Sequence, residues 1–188
     1  LSTQFSVTNS LLANYFFHEG VKRVVLAREL SLTEIKEIKD KSLADLEIFI
    51  HGGMCVSYSG RCTLSNYTVL RDANRGGCAH TCRWLYDLFE NDRKISDNHD
   101  FQMSSKDLEA TEFVKDLLDM NISSLKIEGR MKSIFYVAAI VGAYRKALDA
   151  YYADPENYVY KEEWMEELLK VSHRNFTTGF YFDRPKEE

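Results

Sequence analysis

Residues 46–62 read LEIFIHGGMCVSYSGRC, and the fold depends on this stretch. Its first part, LEIFIHG, is a short apolar run of the kind that forms a buried strand. The run ends in two glycines, and Cys55 and Cys62 come next, which are two of the four cysteines in the chain. The strand is therefore predicted to deliver two thiols to the segment that begins where it ends.

Short apolar runs alternate with amphipathic helical patterns along most of the chain, which is typical of βα units and a mainly parallel sheet. Strands are predicted at QFSVTN (4–9), VKRVVLA (21–27), LEIFIHG (46–52), DFQM (100–103) and SSLKIEG (123–129). Helices are predicted after the N-cap Asn9, after a capping box of Ser31 and Glu34, around residues 110–118, and from about Ser133 to Tyr152.

Each helical pattern predicts which side chains face the core. They are Leu11, Leu12, Tyr15 and Phe16 in the first helix, Leu32, Ile35 and Ile38 in the second, and Ala110, Phe113, Val114, Leu117 and Leu118 in the third. The long helix that follows carries Ile134, Val137, Val141, Tyr144 and Leu148 on one stripe, so we expect it to be substantially buried.

Five strands and as many helices predict an α/β fold that forms part of a (β/α)8 barrel, because a whole barrel takes about 250 residues. Residues 1–153 would form this portion, with a long cysteine-containing insertion at about 51–100. Residues 154–188 would form a C-terminal extension of one charged helix and an aromatic stretch. No lead-in precedes the first strand, which predicts a fragment without the front of the barrel. Its unpaired sheet edges predict self-association into a homo-oligomer.

Charge is distributed unevenly along the chain. The net charge of −5 argues against nonspecific nucleic-acid binding by the whole surface, but residues 55–83 are basic. Arg71, Arg75 and Arg83 lie there, either as solvated arginines or as ligands for a phosphate backbone or a small anion. Neither a membrane span nor a signal peptide is visible, so we expect a cytoplasmic protein without a membrane partner.

The four cysteines, Cys55, Cys62, Cys78 and Cys82, have the spacing Cys-x6-Cys-x15-Cys-x3-Cys. Clustered cysteines in a cytoplasmic protein indicate a metal or redox site more than a disulfide framework. If Cys78 and Cys82 lie on a helix, their sulfurs share one face. Four thiolates at the carboxyl end of a strand are a candidate ligand set for a [4Fe-4S] cluster or for zinc, unless one or two are only buried small side chains.

Charged residues on two predicted strands are further candidates. Glu47 and His51 share one face of the strand that leads to Cys55, either as catalytic residues or as a core histidine satisfied by Glu47. Glu128 is a third candidate catalytic residue at the end of the fifth strand. Lys126, Arg130 and Lys132 surround it, and they suit a small dicarboxylate or a phosphate; the alternative is a salt bridge between Glu128 and an arginine.

Several motifs together resemble peptidase family U32, historically called collagenase-like proteases. EIFIHGGMCVSYSGRCTLS (47–65) resembles the family signature, with one departure at Gly53, where the family usually has Ala or Ser. The resemblance continues in RDANRGGCAHTCRWLY (71–86), SLKIEGRMKS (124–133) and KVSHRNFTTGF (170–180), so it covers nearly the whole chain.

Within the family, the motifs look most like those of the branch that makes 5-hydroxyuridine at the wobble position of tRNA with prephenate. The resemblance implies that Cys55, Cys62, Cys78 and Cys82 hold an iron–sulfur cluster, that tRNA is the partner and that prephenate is the cosubstrate. It implies hydroxylation more strongly than proteolysis. A U32 peptidase and a noncatalytic, metal-stapled RNA-binding module are the alternatives.

Overall fold

The computed structural model describes residues 1–97, 101–103 and 105–184. Strand β2 (Asp45–Gly53) is the centre of the main sheet, with β1 (Arg23–Val25) and β6 (Ser124–Ile127) parallel to it on its two sides. The carboxyl end of β2 pairs antiparallel with β5 (Asp107–Leu108), and β5 pairs parallel with β7 (Phe176–Thr177). The described residues therefore form a mixed α/β fold whose sheet is mainly parallel, and no closed barrel is present among them.

Six α-helices flank or connect these strands in the described part of the chain: α1 (Ser10–His18), α2 (Leu32–Lys41), α3 (Leu64–Val69), α4 (Val114–Asp119), α5 (Ile134–Ala153) and α6 (Glu162–Leu169). Residues 54–97, which we call the cysteine segment, contain α3, two short 3-10 helices and a hairpin of β3 (Phe89–Glu90) and β4 (Arg93–Lys94). Residues 154–184 pack directly on the rest, since α6 contacts α5 and β7 joins the sheet.

Burial explains the central position of β2. Leu46, Ile48 and Ile50 are at most 2% exposed, which is the near-continuous burial expected for a strand between two parallel neighbours. Two tyrosines from distant elements also bond to its backbone: Tyr144 of α5 donates to the carbonyl of Ile50 at 2.8 Å, and Tyr181 donates to that of Phe49. The prediction of this strand is confirmed.

The predicted helix starts at α1 and α2 are confirmed by their caps. The Asn9 side chain accepts a hydrogen bond from the Leu12 N–H at 2.9 Å. At α2, Ser31 and Glu34 form the reciprocal capping box, with Ser31 N–H donating to Glu34 at 2.8 Å and Glu34 N–H donating to Ser31 at 3.3 Å. These bonds satisfy backbone donors that have no partner within the helix.

Two predicted strands were wrong in position. QFSVTN forms no strand, because Thr3–Phe5 is a 3-10 helix. The carbonyls of Leu1 and Val7 nevertheless accept from Val25 and Ala27, so this segment covers part of the outer edge of β1. In DFQM, residue 100 lies outside the described residues, and Phe101 makes only an isolated bridge with Tyr86. The strand that joins the sheet is the later β5.

The predicted faces of two helices also need correction. In α1, Leu12, Ala13 and Phe16 pack on the core, whereas Leu11 and Tyr15 are exposed. In α5 the buried residues are Tyr136, Ile140, Ala143, Tyr144 and Ala147, while Ile134 is 90% exposed and Val137 and Val141 are partly exposed. The core contacts of α5 therefore come from a neighbouring stripe, and of the predicted residues Tyr144 is buried and Leu148 packs on the core.

Candidate functional site

A cavity of about 430 Å³ lies at the carboxyl ends of the three parallel strands β1, β2 and β6. Arg28 follows β1, Cys55 follows β2, and Glu128 follows β6. Segments that leave parallel strands meet at this edge of a sheet, which is where open α/β folds bind ligands. The rest of the cavity wall comes from the cysteine segment and from residues 2–4.

All four cysteine side chains line this cavity. They are free thiols; Cys55 is exposed, and the other three are partly buried. The expected helix pair is wrong, since Cys82 lies in the 3-10 helix Thr81–Arg83 and Cys78 precedes it in irregular backbone. Within the described ranges, no three His, Cys, Asp or Glu side chains converge closely enough to hold one metal ion. The four thiols thus share the wall of one cavity.

Hydrogen bonds between loops position these thiols. The Asn74 side chain donates to the Cys62 carbonyl at 3.0 Å, and the Ala79 N–H donates to the buried Ser65 hydroxyl at 3.0 Å. The Ser59 N–H donates to Glu29, just beyond β1, at 2.8 Å. The first two contacts connect the loop of Cys62 to that of Cys78, and the third ties the segment to the sheet.

The electrostatic environment opposes ionisation of two of the thiols. Desolvation raises the pKa of Cys55, and nearby Cys62 and Cys78 raise it further, while Arg28 lowers it. Desolvation and the other three thiols likewise raise the pKa of Cys82, with Arg83 opposing them. Thiols that repel one another when ionised would gain most from a bound cation, because the metal supplies the missing positive charge.

The basic residues predicted for substrate binding divide into two groups. Arg83, Lys126 and Arg130 line the cavity. Arg71 and Arg75 are exposed outside it, and Arg75 pairs with Asp72 at 3.5 Å. Lys132 also lies outside the lining.

Lys132 belongs instead to a cluster around Asp107, whose side chain is fully buried. The Lys132 ammonium is 3.5 Å from the Asp107 carboxylate, and the Arg83 guanidinium is 3.9 Å from it. The backbone N–H of Arg174 donates to the same carboxylate at 3.3 Å. Two of the predicted substrate cations are thus held by a carboxylate that the sequence did not single out.

Of the three predicted catalytic residues, Glu128 lines the cavity. One of its carboxylate oxygens is 3.7 Å from His80 Nε2 and accepts the Arg130 N–H at 3.0 Å, while the other is buried with no hydrogen-bond partner among the described residues. Desolvation lowers the pKa of His80. Glu128 and His80 therefore lie next to each other in the wall of the cavity that the thiols line.

Close backbone packing holds Glu128 at this position. Its N–H donates to the His51 carbonyl at 2.9 Å, which continues the β2–β6 pairing past the end of β6. A Cβ on Gly52 would collide with the Glu128 carbonyl oxygen, and Gly52 has a φ of +99°. Only glycine fits there without strain.

Glu47 and His51 lie outside the cavity lining. Glu47 accepts hydrogen bonds from Ser124 and Lys126, both at 2.9 Å; these bonds outweigh desolvation and lower its pKa. The β2–β6 register shifts between Phe49 and His51, so the expected single face of this strand is divided. Phe49 lines the cavity.

His51 packs instead against Tyr136 and Tyr144 of α5 and against Phe176, and it is 1% exposed. Its Nδ1 is 3.3 Å from the Tyr144 hydroxyl. Desolvation lowers its pKa to about 4. This histidine is therefore neutral near pH 7.

Three residues at or behind the cavity were missed from the sequence: Arg28, His80 and Asp107. Arg28 had a usable signal, because it follows the carboxyl end of a predicted parallel strand, in VVLARE. His80 lies between two of the cysteines. Asp107 had no such signal, since its three cationic or N–H partners come from distant parts of the chain.

The full chain, residues 1–188, matches the family described as Peptidase family U32. The chain belongs to this family. No solved structure matches it. None of the helices in the described ranges is long and apolar enough to cross a membrane.

Relatives within and near this family carry different names. The chain is 50% identical over 194 residues to "tRNA hydroxylation protein P1" of Bacillus subtilis (strain 168), covering 100% of the chain and 46% of that protein. It is 39% identical over 149 residues to "23S rRNA 5-hydroxycytidine C2501 synthase" of Escherichia coli (strain K12), covering 79% of the chain and 23% of that protein.

A third relative has a protease name. The chain is 33% identical over 198 residues to "Collagenase" of Porphyromonas gingivalis (strain ATCC BAA-308 / W83), covering 96% of the chain and 47% of that protein. The chain thus spans about half the length of the Bacillus and Porphyromonas relatives.

Proposed function

We propose that this chain is the cluster-binding part of an enzyme that hydroxylates the wobble uridine of tRNA to 5-hydroxyuridine. The observation that carries the proposal is the set of four thiols around one cavity at the carboxyl edge of a parallel sheet. The similarity to a tRNA hydroxylation protein and to an rRNA hydroxycytidine synthase supports hydroxylation of an RNA base.

The arrangement of the thiols suits a [4Fe-4S] cluster, with Cys55, Cys62, Cys78 and Cys82 as its ligands. A tetrahedral zinc site with Zn–S bonds of about 2.3 Å brings four sulfurs within about 3.8 Å of one another. A four-iron cluster takes one thiolate at each iron, so its ligands surround a larger volume. Four thiols on the wall of a cavity of about 430 Å³ support the cluster, and zinc stays the alternative. When bound, the cluster supplies one-electron chemistry.

The other cavity residues have roles that follow from their positions. Lys126 and Arg130 add positive charge to the cavity wall, which favours binding of a small dicarboxylate, for which prephenate is the candidate cosubstrate. Glu128 and His80 are placed to hold or move a proton beside the ligand. Phe49 forms an apolar wall that limits the access of water. The exposed Arg71 and Arg75 are left to contact tRNA phosphates.

The parallel β1–β2–β6 arrangement also fits one portion of a (β/α)8 barrel. In such a barrel the ligand site lies at the carboxyl ends of the strands, as the thiol cavity does here. We infer that the longer relatives complete this barrel with the part that this chain does not match. The self-association predicted from free sheet edges stays a prediction, and the cover over β1 leaves fewer free backbone groups to drive it.

A U32 peptidase is the second candidate function, because one relative is named a collagenase. It predicts that the purified protein cleaves gelatin and that Glu128→Gln abolishes the cleavage. Gelatin that stays intact with cluster-loaded protein, together with hydroxylation of tRNA, would exclude this candidate.

The deciding experiment is mass spectrometry of tRNA nucleosides from cells that lack the protein carrying this chain. We expect wobble 5-hydroxyuridine and its derivatives to disappear, and the restored wild-type gene to bring them back. Cys78→Ser should fail to restore them. Asn66→Ser is the matched control, because it introduces the same residue at an exposed position of α3 in the same segment. Unchanged tRNA in the deletion strain would contradict the proposal.

A further inference from the structure

Arg28 is an unusual cation in the cavity wall. Its guanidinium carbon lies 3.8 Å from the centroid of the Phe49 ring, and the residue is partly buried. Desolvation lowers its pKa. The cation–π contact with Phe49 positions the guanidinium but uses none of its five N–H donors.

The other cations of the lining have protein partners. Lys126 pairs with Glu47 at 2.9 Å, Arg83 lies 3.9 Å from Asp107, and Arg130 donates to the Gly76 carbonyl. In the described part of the chain, the Arg28 guanidinium has no ion pair within 4.0 Å and no hydrogen bond.

The acidic groups that act on Arg28 do so only at longer range. They are Cys55, Glu128 and Glu29. Arg28 lines the cavity, so a ligand there can reach N–H donors that no protein group in the described ranges uses. A ligand that enters the cavity would supply the missing acceptors.

We propose that Arg28 binds a carboxylate group of a small anionic ligand in this cavity. A guanidinium whose donors are not used by the protein can give two parallel hydrogen bonds, which match the two oxygens of a carboxylate. The position favours a small molecule over an RNA backbone, because the residue is recessed in the wall next to a buried ring. The inference rests on the proposed function, in which this cavity is the reaction site, and it names the residue that holds the cosubstrate.

Arg28 has one competing role. It lowers the pKa of Cys55, so its charge could serve only to stabilise the thiolates that hold the cluster. An experiment can separate the two roles. If Arg28 stabilises the thiolates, replacing it lowers the iron content; if Arg28 binds the ligand, replacing it lowers the affinity for a carboxylate.

The test uses Arg28→Met, which keeps an apolar contact with Phe49 but removes the charge and the donors, and Arg28→Lys, which keeps the charge but loses the planar fork. Arg145→Met is the matched control, because Arg145 lies on the exposed side of α5 in a surface ion pair with Asp149. Each protein is reconstituted anaerobically, and its iron content is measured first. Calorimetric titrations then use prephenate, malonate and an anticodon stem-loop RNA.

We expect Arg28→Met to bind prephenate and malonate about 10- to 100-fold more weakly, the usual effect of losing a charged hydrogen-bond partner. Arg28→Lys should fall between it and the wild type, and iron content and RNA affinity should stay at wild-type levels in both. Arg145→Met should match the wild type throughout.

Four results would overturn the inference. They are wild-type acid affinity in Arg28→Met, loss of iron in that variant, weakened RNA affinity with unchanged malonate affinity, and failure of iron-loaded wild-type protein to bind either acid. The last result would leave the tRNA experiment to decide the proposed function separately.

Discussion

The sheet around β2 and the cysteine segment differ in what holds them in place. β2 pairs with strands on both sides, and Leu46, Ile48 and Ile50 are almost without exposure. In its described residues, the cysteine segment has only short helices and a hairpin whose strands are two residues long. Its side chains Tyr67 and Leu70 are 87% and 88% exposed. Burial stabilises the sheet, whereas hydrogen bonds between loops hold the cysteine segment.

The largest expected difference between the two regions comes from removing an apolar side chain. Ile50→Ala should lower the free energy of unfolding by about 2–5 kcal/mol, because it leaves a cavity in the core. Leu70→Ala in the cysteine segment should change it by less than about 0.5 kcal/mol, because its side chain already contacts water. Urea denaturation of both variants measures their free energies of unfolding. An equal decrease in the two variants would show that the cysteine segment is packed as tightly as the sheet.

The next effect concerns His51 at the carboxyl half of β2. Its folded pKa of about 4 lies below the ordinary value of 6.5, so the unfolded chain binds the proton more tightly. The resulting stability is present above pH 6.5 and is lost as the pH falls toward 4. We expect about 2 kcal/mol of this loss between pH 7 and pH 5.

His51→Gln should remove that part of the pH dependence, whatever its effect on stability at pH 7. His18→Gln is the control, because His18 is exposed at the end of α1. The test is to measure the free energy of unfolding of the wild type and of both variants at pH 7 and at pH 5. A loss between pH 7 and pH 5 that is the same in wild type and His51→Gln would mean that His51 does not titrate as its burial requires.

The smallest effect compares two helix starts. Ser31→Ala removes the capping box of α2 and should cost about 1 kcal/mol. Thr63 at the start of α3 makes no capping hydrogen bond, so Thr63→Ala should cost less than about 0.5 kcal/mol. Thermal denaturation of the two variants tests the comparison. A larger cost at Thr63 would place a stabilising contact in the cysteine segment that its geometry does not show.

The sheet around β2 and the helices beside it were also more predictable from the sequence than the cysteine segment was. The β2 pattern and the Ser31–Glu34 box are local signals, and the structure contains both. The face of α5 was less predictable, because this helix is apolar on more than one side. The spacing of its apolar residues fits two stripes equally well. The stripe of Ile140 and Ala147 packs on the core, and the stripe of Ile134 and Val141 is exposed.

The site was predictable only in part. The spacing of the cysteines indicated one site, and all four thiols do line one cavity. His51 faces away from that cavity after a shift in the β2–β6 register between Phe49 and His51, for which alternation offers no warning. The burial of Asp107 among cations depends on contacts between residues far apart in sequence.

The most direct test of the central claim is the iron and sulfide content of the protein after anaerobic reconstitution. We predict about four irons and four sulfides per wild-type chain, and the same content in Asn66→Ser. Cys55→Ser, Cys62→Ser, Cys78→Ser and Cys82→Ser should each lower the iron content, because the four thiols act as one ligand set. Full iron and full tRNA hydroxylation in both Cys78→Ser and Cys82→Ser would contradict the account.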